Sequence, residues 1–326
     1  MMHKNKIPKS KACISDHFDG EKFYNPYTSM RGLSDLLYWL WTRHPTPWPK
    51  EIAVKMQKVK DERVFNPHLR VTHINHSTVL IQFEGYNFLT DPIWSKRASP
   101  FSWIGPKRVI SPGVLFDDLP PIDFVIISHN HYDHMDLPTL TRLNQTHQPH
   151  FFVPQGNKSY LEAQGLQRIT ELDWWSAIPL SSTCHLTFVP GQHFSARGLW
   201  DRNKTLWGGY MLQGHDKSVY FAGDTGYSPY FKQIRERLGA PTLSLLPIGA
   251  FEPKWFMSPM HMSPQDAVQA FEDLGSKYAM SIHFGTFPLT DEGITVPIIM
   301  LEKALQAHSL SLEQFWILQP GEGREI

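Results

Sequence analysis

The run Phe124-Val125-Ile126-Ile127-Ser128, followed at once by His129-Asn130-His131-Tyr132-Asp133-His134, decides how the rest of the chain is read. A continuous apolar run of this length is the pattern of a strand buried on both faces, because a half-exposed strand alternates instead. Behind it stand three imidazoles and one carboxylate within six residues. Imidazole nitrogen and carboxylate oxygen are ligands for Zn²⁺, and also for Fe or Mn. The chain holds 17 His, so any single one is most simply solvated or hydrogen-bonded. A cluster at a strand end is hard to explain that way. His129 and His131 can point the same way from an extended or turning backbone, while Asp133 and His134 can face a second ion. The set contains no Cys, which leans towards hydrolysis rather than a structural zinc.

Outward from this run, other strands end on donors in the same way. Leu186-Thr187-Phe188-Val189 leads through Pro190-Gly191-Gln192 to His193. Ser218-Val219-Tyr220-Phe221-Ala222 leads through Gly223 to Asp224, and Tyr278-Ala279-Met280-Ser281-Ile282 runs directly into His283. Residues 77–83 and 86–90, separated by Glu84-Gly85, read as a hairpin. Residues 264–275 read as a helix with Ala267, Val268, Phe271 and Leu274 on its apolar side. Strands and helices interleaved like this predict an α/β fold, its sheets covered by helices and its site at strand ends.

Composition narrows the classes of function. In 326 residues, 41% hydrophobic, there is room for one large domain with an extension. Lys plus Arg and Asp plus Glu are 31 each, which argues against a nucleic-acid partner. Eleven Trp and 13% aromatic residues point to wide apolar surfaces, in the core or facing an amphipathic ligand. Cys13 and Cys184 suggest no disulfide framework, so a reducing compartment fits best. The N-terminus has charge without an apolar run behind it, and no stretch approaches a membrane span. A cytoplasmic protein, or one peripheral to a membrane, is the expectation.

Residues 1–67 read as an N-terminal extension and residues 68–326 as the main domain. The first 20 or so residues, with Lys4, Lys6, Lys9 and Lys11, have the composition of a flexible tail. Residues 33–41 then read as an aromatic, leucine-rich helix, and Pro45, Pro47 and Pro49 stop it. That helix could pack its rings on the main domain, or rest on a membrane interface and feed lipid to the site.

The strings above resemble the metallo-β-lactamase fold superfamily. Further stretches resemble one branch of it, the N-acyl-phosphatidylethanolamine-hydrolysing phospholipase D family or a bacterial relative. They are Thr90-Asp91-Pro92-Ile93-Trp94, Arg97-Ala98-Ser99-Pro100, Gly105-Pro106-Lys107-Arg108, Ala222-Gly223-Asp224-Thr225-Gly226-Tyr227, Gly249-Ala250-Phe251-Glu252-Pro253 and His283-Phe284-Gly285-Thr286-Phe287. The likeness runs from about residue 68 to the C-terminus. It implies an αβ/βα sandwich with a dinuclear metal site, two Zn²⁺ or else Fe or Mn, at one edge of the sheets. It gives His129, His131 and His193 to one ion and Asp133, His134 and His283 to the other, with Asp224 bridging and a hydroxide between. Asp91 matches a family Asp that orients a ligating His or the nucleophile, though an Asp before Pro92 also suits a turn cap. His261 matches a family His near the substrate phosphate. A homodimer is implied as well.

The expected activity is hydrolysis of N-acyl-phosphatidylethanolamine, with Asp91, Asp133, Asp224 and His261 in catalytic roles. Trp255, Phe256 and Met260, in an aromatic and Met-rich stretch, are the candidate acyl-chain contacts beside His261. Trp255 and Phe256 suit a core equally well, and His261 a loop. Two alternatives stay open: a hydrolase of a soluble phosphodiester or sugar-phosphate lactone, and a non-catalytic metal-stabilised lipid-binding protein.

Overall fold

Along Thr78–Phe83 alternate side chains enter different cores: Val79, Ile81 and Phe83 share one cluster, while Leu80 joins another. Phe88 and Leu89, Ile126 and Ile127, and Phe221 and Ala222 are divided in the same way. A strand can be apolar on both faces only if each face is covered, and this is what dictates four layers. The computed structural model describes residues 15–326. Lys4 to Lys11 of the expected tail, and Cys13, lie outside the described residues.

Two seven-stranded sheets form the inner layers. The first contains β1 (Leu69–Asn75), β2 (Thr78–Phe83), β3 (Tyr86–Thr90), β4 (Phe124–Ile126), β5 (His150–Pro154) and β6 (Ile169–Leu172). The second contains β7 (Ala177–Pro179), β8 (His185–Val189), β9 (Gly209–Gln213), β10 (Ser218–Phe221), β11 (Leu243–Pro247), β12 (Tyr278–Ile282) and β13 (Phe315–Trp316). A last strand, β14 (Gly323–Glu325), returns to the first sheet and pairs antiparallel with β1. Each sheet is part antiparallel meander and part parallel: β3 to β6 in one, β10 to β13 in the other.

The helices are α1 (Leu33–Thr42), α2 (Leu137–Thr146), α3 (Lys158–Glu162), α4 (Tyr230–Leu238), α5 (Lys254–Met257), α6 (Pro264–Leu274) and α7 (Val296–Ala307). Residues of α2 and α3 join the core on the outer face of the first sheet. Residues of α4, α6 and α7 cover the second. The αβ/βα sandwich follows. Among the described residues no helix is long and apolar enough to cross a membrane.

Local chemistry sets the turns that matter. Glu84 and Gly85 both take positive φ, 53° and 79°, as a two-residue turn matched to strand twist requires. A Cβ on Gly85 would stand 2.8 Å from the Phe65 ring, so this turn also needs glycine for space. The α6 helix begins at Ser263, whose hydroxyl accepts from Asp266 N, and ends at Gly275 in the left-handed region.

The start of the extension differs from the flexible tail expected of residues 1–20. His17 is buried, stacks on Trp174 at 4.2 Å and donates to Asp173 at 2.8 Å. Phe23 enters the core between the sheets, and Asn25 Nδ2 donates to the His193 carbonyl at 2.7 Å. These residues strap the second sheet beside the site. The α1 helix follows. Its Trp39 is buried against Phe256, while Leu33, Leu37, Tyr38, Leu40 and Trp41 remain exposed.

Candidate metal centre

The 129–134 run leaves β4 as a turn, held by His134 N and Met135 N donating to the His131 carbonyl at 3.1 and 2.8 Å. That turn projects His129 and His131 to one side and Asp133 and His134 to the other. From the second sheet, His193 arrives after β8, Asp224 after β10 and His283 after β12. All seven side chains meet between the strand ends of the two sheets.

They meet as two groups. His131 Nδ1 lies 2.8 Å from His129 Nε2 and 3.2 Å from His193 Nε2. Asp133 Oδ2 lies 3.3 Å from both His134 Nε2 and His283 Nε2. Asp224 Oδ2 stands between the groups, 3.0 Å from His283 Nε2, 3.2 Å from His134 Nε2 and 4.0 Å from His193 Nε2.

Hydrogen bonds behind the site decide which nitrogen faces it. Asp91 is fully buried with φ of 32°, and accepts from His134 Nδ1 at 2.6 Å. The same carboxylate accepts from Ser128 N at 2.7 Å and Ser128 Oγ at 2.6 Å. With its proton given to Asp91, Ser128 Oγ is left to accept from His129 Nδ1 at 2.9 Å. His193 Nδ1 donates to the Met260 carbonyl at 2.8 Å. His129, His134 and His193 therefore all turn Nε2 to the centre. Such backing is usual for metal-bound imidazoles.

Bare nitrogens crowded at this range repel one another and the carboxylates unless positive charge lies among them. Asp224 Oδ1 and His134 Nε2 are buried without a hydrogen-bond partner among the described residues. Metal–ligand bonds of about 2.0–2.2 Å put tetrahedral neighbours roughly 3.3–3.5 Å apart, close to the spacings here. The donor set fits two divalent cations. Without them protons do the work. Burial alone would lower His134 and His283, but Asp224 and Asp133 outweigh it, holding His134 well above its ordinary value and His283 at about 9. Burial would raise the two carboxyls, and the imidazoles opposite hold both well below the usual range. His129 and His193 are driven down chiefly by burial.

Over the centre lies a groove of about 290 Å³. Its floor includes His131, Asp133, Asp224 and His261; its walls include Leu36 and Trp39 of α1 with Phe256 and Met260. His261 Nδ1 is 3.8 Å from Asp224 Oδ2. Trp255, expected among the acyl-chain contacts, does not line the groove. It is 41% exposed and meets Tyr38 edge-on, because neighbours on the one-turn α5 point to different sides. Arg31 and Arg202 lie at the groove and were not read from the sequence. His76 was missed too. It follows β1, and its Nε2 is 2.9 Å from Asp133 Oδ2. The rule that donors follow strand ends covers it, yet one His among 17 drew no notice.

The model of the Beta-lactamase superfamily domain matches residues 86–284. N-acyl-phosphatidylethanolamine-hydrolyzing phospholipase D 1 of Caenorhabditis elegans is 39% identical over 250 residues, 73% of this chain and 70% of that protein. The mitochondrial N-acyl-phosphatidylethanolamine-hydrolyzing phospholipase D of Saccharomyces cerevisiae is 35% identical over 237 residues, 71% of this chain but only 50% of that protein. Among solved structures, the metallo hydrolase Igni18 of Ignicoccus hospitalis shares the fold with a TM-score of 0.60 at 22% identity, over 79% of this chain and 98% of that one. The chain thus belongs to the metallo-β-lactamase fold superfamily, in the family of N-acyl-phosphatidylethanolamine-hydrolysing phospholipases D, and is a metal-dependent hydrolase.

Proposed function

We propose that this chain is a phospholipase D-type phosphodiesterase using two Zn²⁺ to hydrolyse N-acyl-phosphatidylethanolamine to N-acylethanolamine and phosphatidic acid. The observation that carries the reading is an apolar groove, roofed by α1, whose floor is the donor cluster itself. A soluble diester has no use for Leu36, Trp39, Phe256 and Met260 beside its phosphate; an acyl chain does. The names of the worm and yeast relatives point the same way.

In this reading His129, His131 and His193 would hold one cation and Asp133, His134 and His283 the other, with Asp224 serving both. When bound, the two ions supply Lewis acidity, polarising the phosphoryl oxygens and making water a nucleophile near neutral pH. The chain's own residues do the rest. Arg31 and Arg202 receive the anionic phosphodiester at the groove. Burial pushes His261 down to about 4, so at neutral pH it offers the phosphate an uncharged hydrogen bond. Asp91 and Ser128 keep His134 and His129 aimed while charge builds on the phosphoryl group. Exposed Leu33, Leu37 and Trp41 rest α1 on a lipid surface, the peripheral contact through residues 33–41. A homodimer belongs to the same proposal.

A substrate panel tests the reading. Metal-replete protein is expected to release fatty-acyl ethanolamide from mixed micelles of N-acylated phosphatidylethanolamine, to lose this activity with a chelator and to regain it with Zn²⁺. Faster turnover of a soluble phosphodiester or a lactone, indifferent to detergent, would move the assignment to a water-soluble substrate. A preparation holding both ions yet inert on the lipid sinks it.

Ion uptake should also be visible in protons. The carboxylates of Asp224 and Asp133 raise His134, and His283 to about 9, in the ion-free chain, so cations bind there in competition with protons. Zn²⁺ titration in two buffers of different ionisation enthalpy is expected to show net proton release on binding. Affinity should therefore weaken as pH falls. Uptake without proton release would contradict that competition.

A further inference from the structure

His76 has no part in the scheme above, yet it lies inside the second group. It occupies the turn between β1 and β2, 1% exposed, with φ of 46°. Its backbone is tied at both ends: N–H donates to Thr286 Oγ1 at 3.0 Å, and the carbonyl accepts from His283 N at 3.0 Å. The ring packs between His283, 4.2 Å away, and the edge of Phe287 at 5.2 Å. It has little freedom to swing.

Its contact with Asp133 differs from those of its neighbours. His134 and His283 stand 3.3 Å from Asp133 Oδ2, the spacing of two ligands on one ion. His76 Nε2 stands 2.9 Å from the same oxygen, the length of an N–H donated to a carboxylate. An imidazole whose Nε2 faces a cation cannot also donate from that nitrogen, so His134 and His283 would not donate to Asp133. Of its three imidazole contacts, His76 is then the one still able to.

We propose that His76 is a positioning residue of the second cation site, its Nε2–H holding the Asp133 carboxylate in place for the ion shared with His134 and His283. This rests on the assignment of those residues to a cation. Three of the other donors, His134, His129 and His193, are backed by Asp91, Ser128 and the Met260 carbonyl; Asp133 is backed by a histidine. The turn after β1 thereby ties ligands from both sheets, His283 of the second through its backbone and Asp133 of the first through its side chain.

Metal binding tests this without recourse to turnover. The full chain and its variants would be loaded with Zn²⁺, the bound ions counted by mass spectrometry, and each affinity measured by competition with a chromophoric chelator. Wild type is expected to hold two ions. His76→Asn keeps a residue that tolerates positive φ but is too short to reach Asp133. It should weaken one ion by about 10–100-fold and leave the other within a few-fold. His76→Gln, reaching as far as the imidazole Nε2, should restore most of the loss, whereas His76→Met, of similar length but without a donor, should not. The Gln and Met pair decides the matter if the Asn variant does not fold. Two ions held at wild-type affinity in the Asn or Met variant, or both weakened equally, would overturn the role of His76. A wild-type chain that takes up no ion overturns the cation assignment itself, and this inference with it.

Discussion

Asp224→Asn is expected to cut lipid turnover by roughly a thousandfold or more, well past the 10–100-fold typical of residues that only back a ligand. The shape of the side chain is preserved and its charge is not. Asp224 Oδ2 lies within 4.0 Å of imidazoles from His134, His283, His261 and His193, so one negative charge serves four rings from both sheets. An amide there offers one neutral oxygen, and its NH₂ would face bare nitrogens or cations. The variant should fold, bind lipid and hold fewer ions. Retained lipid binding with lost turnover identifies an enzyme rather than a lipid carrier stabilised by metal. Wild-type turnover with both ions in place would remove Asp224 from the centre.

Asp91→Ala should have the largest effect on stability. Three buried donors, Ser128 N, Ser128 Oγ and His134 Nδ1, end on its carboxylate. Each donor left unpaired costs about 1–3 kcal/mol, against a total stability of roughly 5–15 kcal/mol for a domain. Alanine also tolerates the residue's positive φ less well than aspartate. Scanning calorimetry with a chelator present, so that metal loss does not enter, should show Tm lowered by about 5–10 °C. Asp91→Asn, which keeps the shape and one acceptor, should fall by less. An alanine variant melting within about 1 °C of wild type would mean that these bonds are replaced by water.

How much of this was legible in the sequence follows the range of each interaction. The Glu84-Gly85 turn is written in two adjacent residues, and the hairpin read at 77–83 and 86–90 forms with strands at 78–83 and 86–90. Residues 264–275 became α6 with its C-cap at Gly275, since period and cap are both local. The 129–134 run reads as a ligand cluster for the same reason. What escaped depends on distant partners. His17 looked like part of a flexible tail because its partner, Asp173, is 156 residues away. His76 stands apart from the dense cluster, and its 57-residue separation from Asp133 is closed only by strand pairing within the first sheet. Trp255 failed from a different cause. Composition marked its stretch as apolar, but one short turn of helix turned Phe256 into the groove and Trp255 out of it.

The division of the donors between the sheets has a bearing on how the folded chain holds together. His131 meets His193 across 62 residues of sequence, and Asp133 meets His283 across 150. Cations bound between such partners close large loops, much as a cross-link does, and closing a loop of about 100 residues is worth several kcal/mol in the chain-entropy picture. Among the described residues Cys184 is free, so no disulfide there supplies that restraint. In this protein the restraint would be ionic and reversible, so cation supply would set how firmly the two sheets are clamped as well as whether the centre can react.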